Sequence, residues 1–370
     1  MSGNQASPFR CLGCGARHPG VGFSHRCPAC GGLFSLAAAS ITLPDAWGPV
    51  GCGGLQRYRA ALPHPSDTPL ATLGEGNTPL IPADLAGRTI HCKLESLNPT
   101  GSYKDRGTVI LASALSHAGI RQVVEDSSGN AGASLAGYAA RLGIAARVFV
   151  PASASGPKRQ QIANYGAEVV EVPGPRSQAA EAVRSEVNQG AVYASHVYQP
   201  HALGGYATIA YEIVEQLGRE PGLVVAPVGH GSLLLGLCIG FEVLLRHRRI
   251  DRMPRLIGVQ AAACAPVWAV HQGGAAALTL VSEGATVAEG IRVRNPLRGD
   301  EVLRAIDRSG GRMAVVEEER IEAARQHLSA NGIDVEPTSS VVWAALDELS
   351  DVLEPPVVAV MTGAGWKARR

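Results

Sequence analysis

The segment NPTGSYKDRG, residues 98–107, has the residue types that could carry out a reaction. It places Lys104 among turn formers and small residues, at the entrance to a predicted helix. Most lysines are solvated surface charges without a chemical role. A lysine that is partly shielded from water has instead a reactive amine, which attacks carbonyl groups. The rest of the chain has to decide between these two interpretations.

Three further segments carry small, polar or glycine residues where a predicted strand gives way to a helix. DSSGNAG, residues 126–132, offers hydroxyl, amide and backbone N–H groups to an anion at a helix N-terminus. In PVGHGSLLLG, Gly229 and Gly231 allow close approach of a phosphate, and Ser232 adds a hydroxyl. In VMTGAGWK, Thr362 ends the last predicted strand. Neither the dinucleotide motif nor the P-loop motif is present in its proper form.

These pieces fit pyridoxal phosphate. The cofactor needs a lysine for its aldehyde, a cradle for its phosphate and a partner for its ring nitrogen. The lysine segment supplies the lysine, and the glycine-rich turn supplies a nest for a phosphate. We therefore expect pyridoxal phosphate as the cofactor.

Four of the eight cysteines form two closely spaced pairs near the N-terminus, CLGC and CPAC, with twelve residues between the pairs. Two such pairs supply four thiolates to a tetrahedral zinc ion, and a site closed by four sulfurs has no open position for substrate. We recognise no signal peptide, which argues against a disulfide framework. The sequence predicts a structural zinc site with the ligands Cys11, Cys14, Cys27 and Cys30.

Composition and patterning predict a soluble α/β enzyme. The 370 residues carry a formal net charge of +1, without a basic stripe for nucleic acid. The apolar run 223–241 is long enough for a membrane span, but Pro227, His230 and several glycines interrupt it, so we interpret it as a strand, a turn and a helix. Strand and helix segments alternate after Arg106, which is typical of a parallel, doubly wound sheet.

The ordered motifs together identify a family resemblance. NPTGSYKDRG, SSGNAGASLAGYAARLG, PVGHGSLLLG, EGIRV, GIDVEPTSS and MTGAG follow one another as they do in fold-type II pyridoxal-phosphate enzymes. Within that group the chain resembles threonine synthase, in its cysteine ribbon, in RYRAALPHPSDTPLATLGEGNTPL and in the final TGxG. The resemblance covers nearly the whole chain.

The resemblance implies a fold of two doubly wound parallel-sheet domains with the cofactor in the cleft between them, plus a small N-terminal zinc ribbon. The expected boundaries are 1–36 for the ribbon, 37–105 and 206–370 for the large cofactor-binding domain, and 106–205 for the small α/β domain. It also implies an amino-acid substrate and a homodimer. From charge and patterning we expect no nucleic-acid or membrane partner, and we expect a cytoplasmic location.

Roles for individual residues follow from the same resemblance. Lys104 is expected to bind the cofactor aldehyde and to move the proton at Cα of the substrate, Asn130 to contact the phenolic oxygen, and Thr362 to face the ring nitrogen. A neutral hydroxyl at that nitrogen favours elimination and replacement over transamination. The expected phosphate cradle is Gly229, His230, Gly231, Ser232 and Leu233. The expected substrate-binding residues are Ser127, Ser128, Gly129 and Thr208.

One segment departs from the pattern of threonine synthases. In SHVYQPHALGGYATIAYEI, Gln199 stands where the family has asparagine, and Ala207 stands where it has a lysine before Thr208. A dianionic leaving group needs cationic donors, which an alanine cannot provide. The alternative donors are basic residues on other loops, such as Lys158, Arg159 or Arg292.

Three hypotheses follow. The first is a threonine synthase, which converts O-phosphohomoserine and water to threonine and phosphate. The second is a related lyase or β-replacement enzyme that acts on threonine, serine or a phosphorylated or acylated amino acid. The third is an inactive zinc-ribbon binding protein.

Overall fold

The computed structural model describes residues 7–19, 23–49, 53–64, 68–152, 156–174, 176–349 and 351–368. The strands in this part are β1 (Phe9–Cys11), β2 (Phe34–Leu36), β3 (Leu80–Leu85), β4 (Arg88–Lys93), β5 (Gln122–Glu125), β6 (Ala145–Pro151), β7 (Glu168–Val172), β8 (Leu223–Pro227), β9 (Arg255–Ala261), β10 (Arg312–Val316) and β11 (Val357–Val360). The α-helices are α1 (Lys104–His117), α2 (Asn130–Leu142), α3 (Gly156–Asn164), α4 (Arg176–Asn188), α5 (His201–Leu217), α6 (Ser232–Arg246), α7 (Pro266–Gly273), α8 (Gly299–Ser309), α9 (Glu318–Ala330) and α10 (Pro337–Leu346).

The chain forms two compact units, the first containing the described residues of 7–75 and 104–205, the second those of 76–103 and 206–368. Residues 37–75, which the sequence analysis assigned to the larger domain, fall in the first unit. Leu55, Leu62 and Leu70 explain this placement, because they share one buried apolar cluster with Val109 and Ile110 of α1.

The first unit is built around the parallel sheet β5-β6-β7, with its strands in chain order. Buried apolar residues of α1, α2 and β5 form one core cluster, which includes Leu111, Leu135 and Val123. A second cluster joins α2, β6 and α3. In the same unit β1 and β2 form an antiparallel pair in which Cys11 faces Phe34.

The second unit contains a six-stranded sheet with the order β10-β9-β8-β11-β4-β3. Neighbouring strands are parallel from β10 to β4, as predicted, and only the edge strand β3 is antiparallel to its neighbour β4. The strand order reverses where β11 lies between β8 and β4. In open α/β sheets ligands bind at such reversal points, beyond the carboxyl ends of the strands.

Several element predictions are confirmed, and two helix starts are wrong. The apolar run 223–241 forms β8, a turn and α6, and the described part of the chain has no helix long and apolar enough to cross a bilayer. Helix α1 begins at Lys104, four residues earlier than the apolar pattern indicated, and α5 begins at His201 rather than Thr208. Two adjacent glycines disguise the start of α5. A Cβ on one of them, Gly205, would lie 1.9 Å from the carbonyl oxygen of Arg106.

Candidate functional site

Lys104 is half-buried and is the first residue of α1. Hydrogen bonds within the first unit hold this helix start. The Thr108 hydroxyl donates to the Lys104 carbonyl oxygen (3.0 Å), and the Ser134 hydroxyl of α2 lies 2.8 Å from Thr108 Oγ1 and 2.6 Å from Asp105 Oδ1. Asp105 is fully buried. This acid is thus a structural neighbour of the lysine, with a contact to the helix that begins at Asn130.

The residues before Lys104 belong to the second unit, where they pair with the chain after β11. The Tyr103 N–H donates to the Thr362 carbonyl oxygen (3.0 Å), and the Ala364 N–H donates to the Gly101 carbonyl oxygen (3.0 Å). Ser102 and Gly363 form an antiparallel bridge. Lys104 therefore directly follows residues 101–103, which are hydrogen-bonded to residues 362–364.

The chain contains only four lysines, and the other three have different surroundings. The Lys93 ammonium is fully buried and donates to three oxygen acceptors at 2.7–2.9 Å, among them the Glu212 carboxylate. Lys367 is buried beneath the Trp366 ring, and Lys158 lies on α3, where Ile162 is the one residue with a fully buried side chain. Lys104 is thus the one of the four lysines that begins an α-helix and directly follows the segment paired with the chain around Thr362.

The loop 126–129 connects β5 to α2 and leads to Asn130, the first residue of that helix. Ser127 is buried, and its Oγ accepts a hydrogen bond from the Gly129 N–H at 3.4 Å. A Cβ at Gly132, in the first turn of α2, would lie 2.0 Å from the Ser127 carbonyl oxygen, so the close packing of the helix on this loop requires glycine. The predicted carboxylate-binding residues therefore surround the N-terminus of α2, where backbone N–H groups favour an anion.

The predicted phosphate cradle lies between β8 and α6. Gly231 precedes the helix with φ +100°, and a Cβ at this position would lie 2.3 Å from Val302 Cγ2, so the conformation and the packing both require glycine. Ser232 begins α6, and its Oγ is buried without a hydrogen-bond partner among the described residues. Since the first N–H groups of a helix also lack intrahelical acceptors, this turn offers several donors to one anion. His230 Nδ1 accepts the Leu297 N–H at 3.4 Å.

Thr362 is buried after β11, and its Oγ1 lies 3.0 Å from the Oγ of Ser339 in the first turn of α10. Ser339 Oγ also accepts the Gly363 N–H at 3.0 Å. The sequence analysis included Ser339 in the motif GIDVEPTSS but assigned no role to it. The two hydroxyls form a neutral pair, because neither a serine nor a threonine side chain carries a charge.

Strand order brings the cradle and this hydroxyl pair to one edge of the sheet. β8 and β11 are hydrogen-bonded neighbours, and both segments follow the carboxyl ends of these strands at the reversal point. The second unit therefore presents the glycine turn and helix start of the predicted cradle beside a neutral hydroxyl pair.

The segment that departs from the family pattern is buried. Gln199 is 1% exposed, and both hydrogens of its amide are donated to carbonyl oxygens, those of Phe23 (2.9 Å) and Tyr193 (3.0 Å). Ala207 and Thr208 are fully buried in α5, and a Cβ at Gly240 of α6 would lie 2.4 Å from the Ala207 carbonyl oxygen. Position 207, where the family has a lysine, thus lies in a close contact between α5 and α6.

The four cysteine sulfurs cluster in the first unit, all within 4.8 Å of one another. Sγ atoms from different pairs lie 3.4 Å apart (Cys11 and Cys30) and 3.7 Å apart (Cys14 and Cys27). Tetrahedral zinc with Zn–S bonds of about 2.3 Å places its sulfurs about 3.8 Å apart, close to these separations. A Cβ at Gly32 would lie 2.9 Å from Cys11 Sγ, so a side chain there would crowd the sulfurs.

The Cys11 thiol has a perturbed pKa. Burial raises this pKa, but hydrogen bonds from the backbone of Cys14 and Gly13 lower it, with the result that the pKa falls from its usual value to about 7. Metal ligation requires the thiolate, so these backbone donors favour the ligating form.

Comparison with known proteins identifies the class. The chain belongs to the family of pyridoxal-phosphate dependent enzymes, whose model matches residues 71–363. Its cofactor is pyridoxal phosphate, and the protein is a lyase of the threonine synthase-like kind. The inactive-protein hypothesis is thereby set aside.

The relatives are threonine synthases. That of Methanosarcina acetivorans is 32% identical over 96% of this chain and 91% of its own length, and that of Synechocystis sp. is 36% identical over 85% of this chain and 83% of its own length. Among solved structures, a threonine deaminase from T.th. is 26% identical with a TM-score of 0.66, covering 78% of this chain and 92% of its own. Maize serine racemase is 20% identical with a TM-score of 0.66, covering 78% and 88% of the two chains, and shows the shared fold.

Proposed function

We propose that Lys104, Asn130, the cradle 229–233 and Thr362 hold pyridoxal phosphate. The chain's own residues support this assignment. The buried Ser232 hydroxyl lacks a partner among the described residues, and Gly231 has a conformation that opens the helix start to an anion. The cradle residues hold the phosphate, and Asn130 orients the ring through its phenolic oxygen.

Bound pyridoxal phosphate supplies an electron sink for charge that develops at Cα of an amino acid. The Lys104 amine accepts and returns the Cα proton. Residues 127–129 hold the substrate carboxylate at the start of α2. Thr362, hydrogen-bonded to Ser339, offers the ring nitrogen a neutral partner, which leaves that nitrogen unprotonated and favours elimination and replacement.

The favoured reaction is that of a threonine synthase, in which phosphate leaves Cγ of O-phosphohomoserine and water adds at Cβ. The observation that carries this proposal is the 32–36% identity to threonine synthases over 85–97% of the chain. The substrate is an amino acid, with Thr208 assigned to the substrate side of the pocket.

A second candidate is a lyase or β-replacement enzyme that acts on threonine, serine or a phosphorylated or acylated amino acid. Its support is Ala207, which is buried against α6 and provides no cation for a leaving phosphate. The 26% identity to a threonine deaminase agrees with this alternative.

The experiment is a direct assay of phosphate release. The purified, cofactor-loaded protein is incubated with O-phospho-L-homoserine, and phosphate and threonine are measured, with Lys104→Ala as the control. Release of both products that is lost in the variant supports the threonine synthase reaction. A folded, cofactor-loaded protein that releases no phosphate but forms a keto acid from threonine or serine favours the second candidate.

We further propose that Cys11, Cys14, Cys27 and Cys30 bind one structural zinc ion, that the protein is a homodimer, and that it is cytoplasmic. The mutual Sγ separations support the zinc ion. Metal analysis by plasma mass spectrometry is expected to give one zinc per chain, and Cys14→Ser is expected to lower this content. Zinc-free parent protein with an intact fold would contradict the assignment.

A further inference from the structure

The proposed function leaves the predicted zinc ribbon, of which the structure describes residues 7–19 and 23–36, without a role beyond its own stability. In this ribbon the Phe23 carbonyl oxygen accepts a hydrogen bond from the Gln199 side chain. The same amide group donates to the Tyr193 carbonyl oxygen, and the side chain is 1% exposed. One buried glutamine therefore ties the ribbon to the segment 193–199.

Aromatic contacts strengthen this connection. The His25 ring, two residues before Cys27, lies 5.6 Å from the Tyr193 ring and 5.4 Å from the Tyr198 ring, edge-on in both cases. The Arg26 guanidinium lies 5.1 Å from the Tyr198 ring centre, a cation–π distance. The residues directly before the second cysteine pair are thus used for packing within the unit.

Tyr193 continues the connection to the candidate substrate loop. Its hydroxyl donates to Asp126 Oδ1 at 2.7 Å, and Asp126 directly precedes Ser127. The backbone is joined as well, because the Val124 N–H donates to the Val192 carbonyl oxygen and the Ala194 N–H to the Val124 carbonyl oxygen. Burial, followed by the nearby Asp126 charge, raises the pKa of Tyr193, so the phenol keeps the proton that it donates.

We propose that the metal-bound ribbon positions the loop 126–129 through Gln199 and Tyr193, and thereby sets the affinity for the substrate carboxylate. The connection runs from the Phe23 carbonyl through the Gln199 amide to Tyr193, and from its hydroxyl to Asp126. Gln199 and Tyr193 act as positioning residues. The inference rests on the proposed zinc site and on the proposed role of the loop.

The test follows amide hydrogen exchange by mass spectrometry in the full-length, cofactor-loaded protein. Peptides from the ribbon, from 122–133 and from α6 are compared with zinc bound and after chelation, with α6 as the reference for global unfolding. Tyr193→Phe removes the hydroxyl that reaches Asp126. Tyr198→Phe is the matched control, because its hydroxyl has a long contact of 3.5 Å to Arg26 and none to the loop among the described residues.

The expected result has three parts. Chelation accelerates exchange in the ribbon and in 122–133 while α6 stays protected. Tyr193→Phe alone accelerates exchange in 122–133 about tenfold, as the loss of a hydrogen bond to a charged group predicts, and keeps its zinc. The dissociation constant for the amino acid, read from the substrate-induced change in the cofactor absorption spectrum, rises in parallel, whereas Tyr198→Phe resembles the parent in both measurements.

A second variant tests the ribbon side of the connection. Gln199→Met keeps the side-chain length and removes both hydrogen bonds, so exchange in 122–133 is expected to become less sensitive to chelation. Chelation that loosens the ribbon but leaves 122–133 unchanged in the parent would overturn the proposal, as would parental exchange in Tyr193→Phe. If the zinc assignment is wrong, the parent protein will contain no metal. If the proposed role of the loop in substrate binding is wrong, Tyr193→Phe will show faster exchange in 122–133 with an unchanged affinity for the amino acid.

Discussion

The buried ion pair of Lys93 and Glu212 gives a sharp test of the physical reasoning in the second unit. The Lys93 ammonium donates to Glu212 Oε2 (2.7 Å), Gln216 Oε1 (2.9 Å) and the Thr78 carbonyl oxygen (2.7 Å), which uses all three of its hydrogens. Glu212 also accepts the Asn77 N–H at 2.7 Å. The side chains of the pair are 0% and 3% exposed, so the pair joins β4, α5 and the loop before β3 out of contact with water.

The magnitude follows from this burial. Removal of one partner leaves the other charge buried without compensation, at a cost of about 3–5 kcal/mol. Each kcal/mol lowers the melting midpoint by about 2–4 °C in a domain of 150–250 residues. We therefore expect Lys93→Met to lower the midpoint by about 6–20 °C. The double variant Lys93→Met/Glu212→Leu removes both charges and is expected to recover part of the loss.

The assay is thermal unfolding of the cofactor-loaded protein, followed by circular dichroism. The matched control is Asp351→Asn, which breaks an ion pair with Arg312 whose side chains are 36% and 62% exposed, so its loss is expected to leave the midpoint nearly unchanged. Lys93→Met with a midpoint no lower than that of the control would refute the reasoning. Additive losses in the double variant would refute the coupling of the two charges.

Three further predictions concern the cradle and the buried histidine His201. Ser232→Ala is expected to raise the dissociation constant for pyridoxal phosphate about tenfold or more in a fluorescence titration, whereas Ser282→Ala at an exposed position leaves it unchanged. Gly231→Ala, which combines φ +100° with a clash against Val302, is expected to weaken cofactor binding further, and parental affinity would contradict the proposed cradle. Burial, followed by nearby histidine charges, lowers the pKa of His201 to about 3, so this side chain stays neutral in the folded chain and gains a proton in the unfolded chain below about pH 6.5. The free energy of unfolding should therefore fall by about 1.4 kcal/mol per pH unit as the pH drops from about 6.5 toward 3. Urea unfolding should show a shallower pH slope for His201→Phe than for the parent, and an unchanged slope would contradict this prediction.

The class of fold and the candidate nucleophile could be predicted from the sequence because their signals are local. Alternation of apolar strands and helices predicts a parallel sheet, and glycine with polar residues at a strand end predicts an anion site. Gly231 and Ser232 illustrate this, since φ and helix position are properties of a few adjacent residues. The four-cysteine cluster was predictable for the same reason, because the spacing within each pair confines its two sulfurs.

Other features depend on contacts between distant segments. Ser339 is 23 residues from Thr362 in sequence, and only the packing of α10 against the chain after β11 brings their hydroxyls together. The role of Gln199 was equally hidden, because its acceptor Phe23 lies 176 residues away. Gly205 discouraged a helix prediction, whereas in the structure it allows α5 to approach Arg106 closely.

The most direct test of the central claim is the identification of the lysine that carries the cofactor. Borohydride reduction of the cofactor-loaded protein fixes pyridoxal phosphate on its lysine, and peptide mapping by mass spectrometry then locates it among the four lysines of the chain. We predict that the reduced cofactor is found on the peptide that contains Lys104 and that Lys104→Ala carries none. Attachment at Lys93, Lys158 or Lys367, or the absence of any attachment, would contradict the assignment.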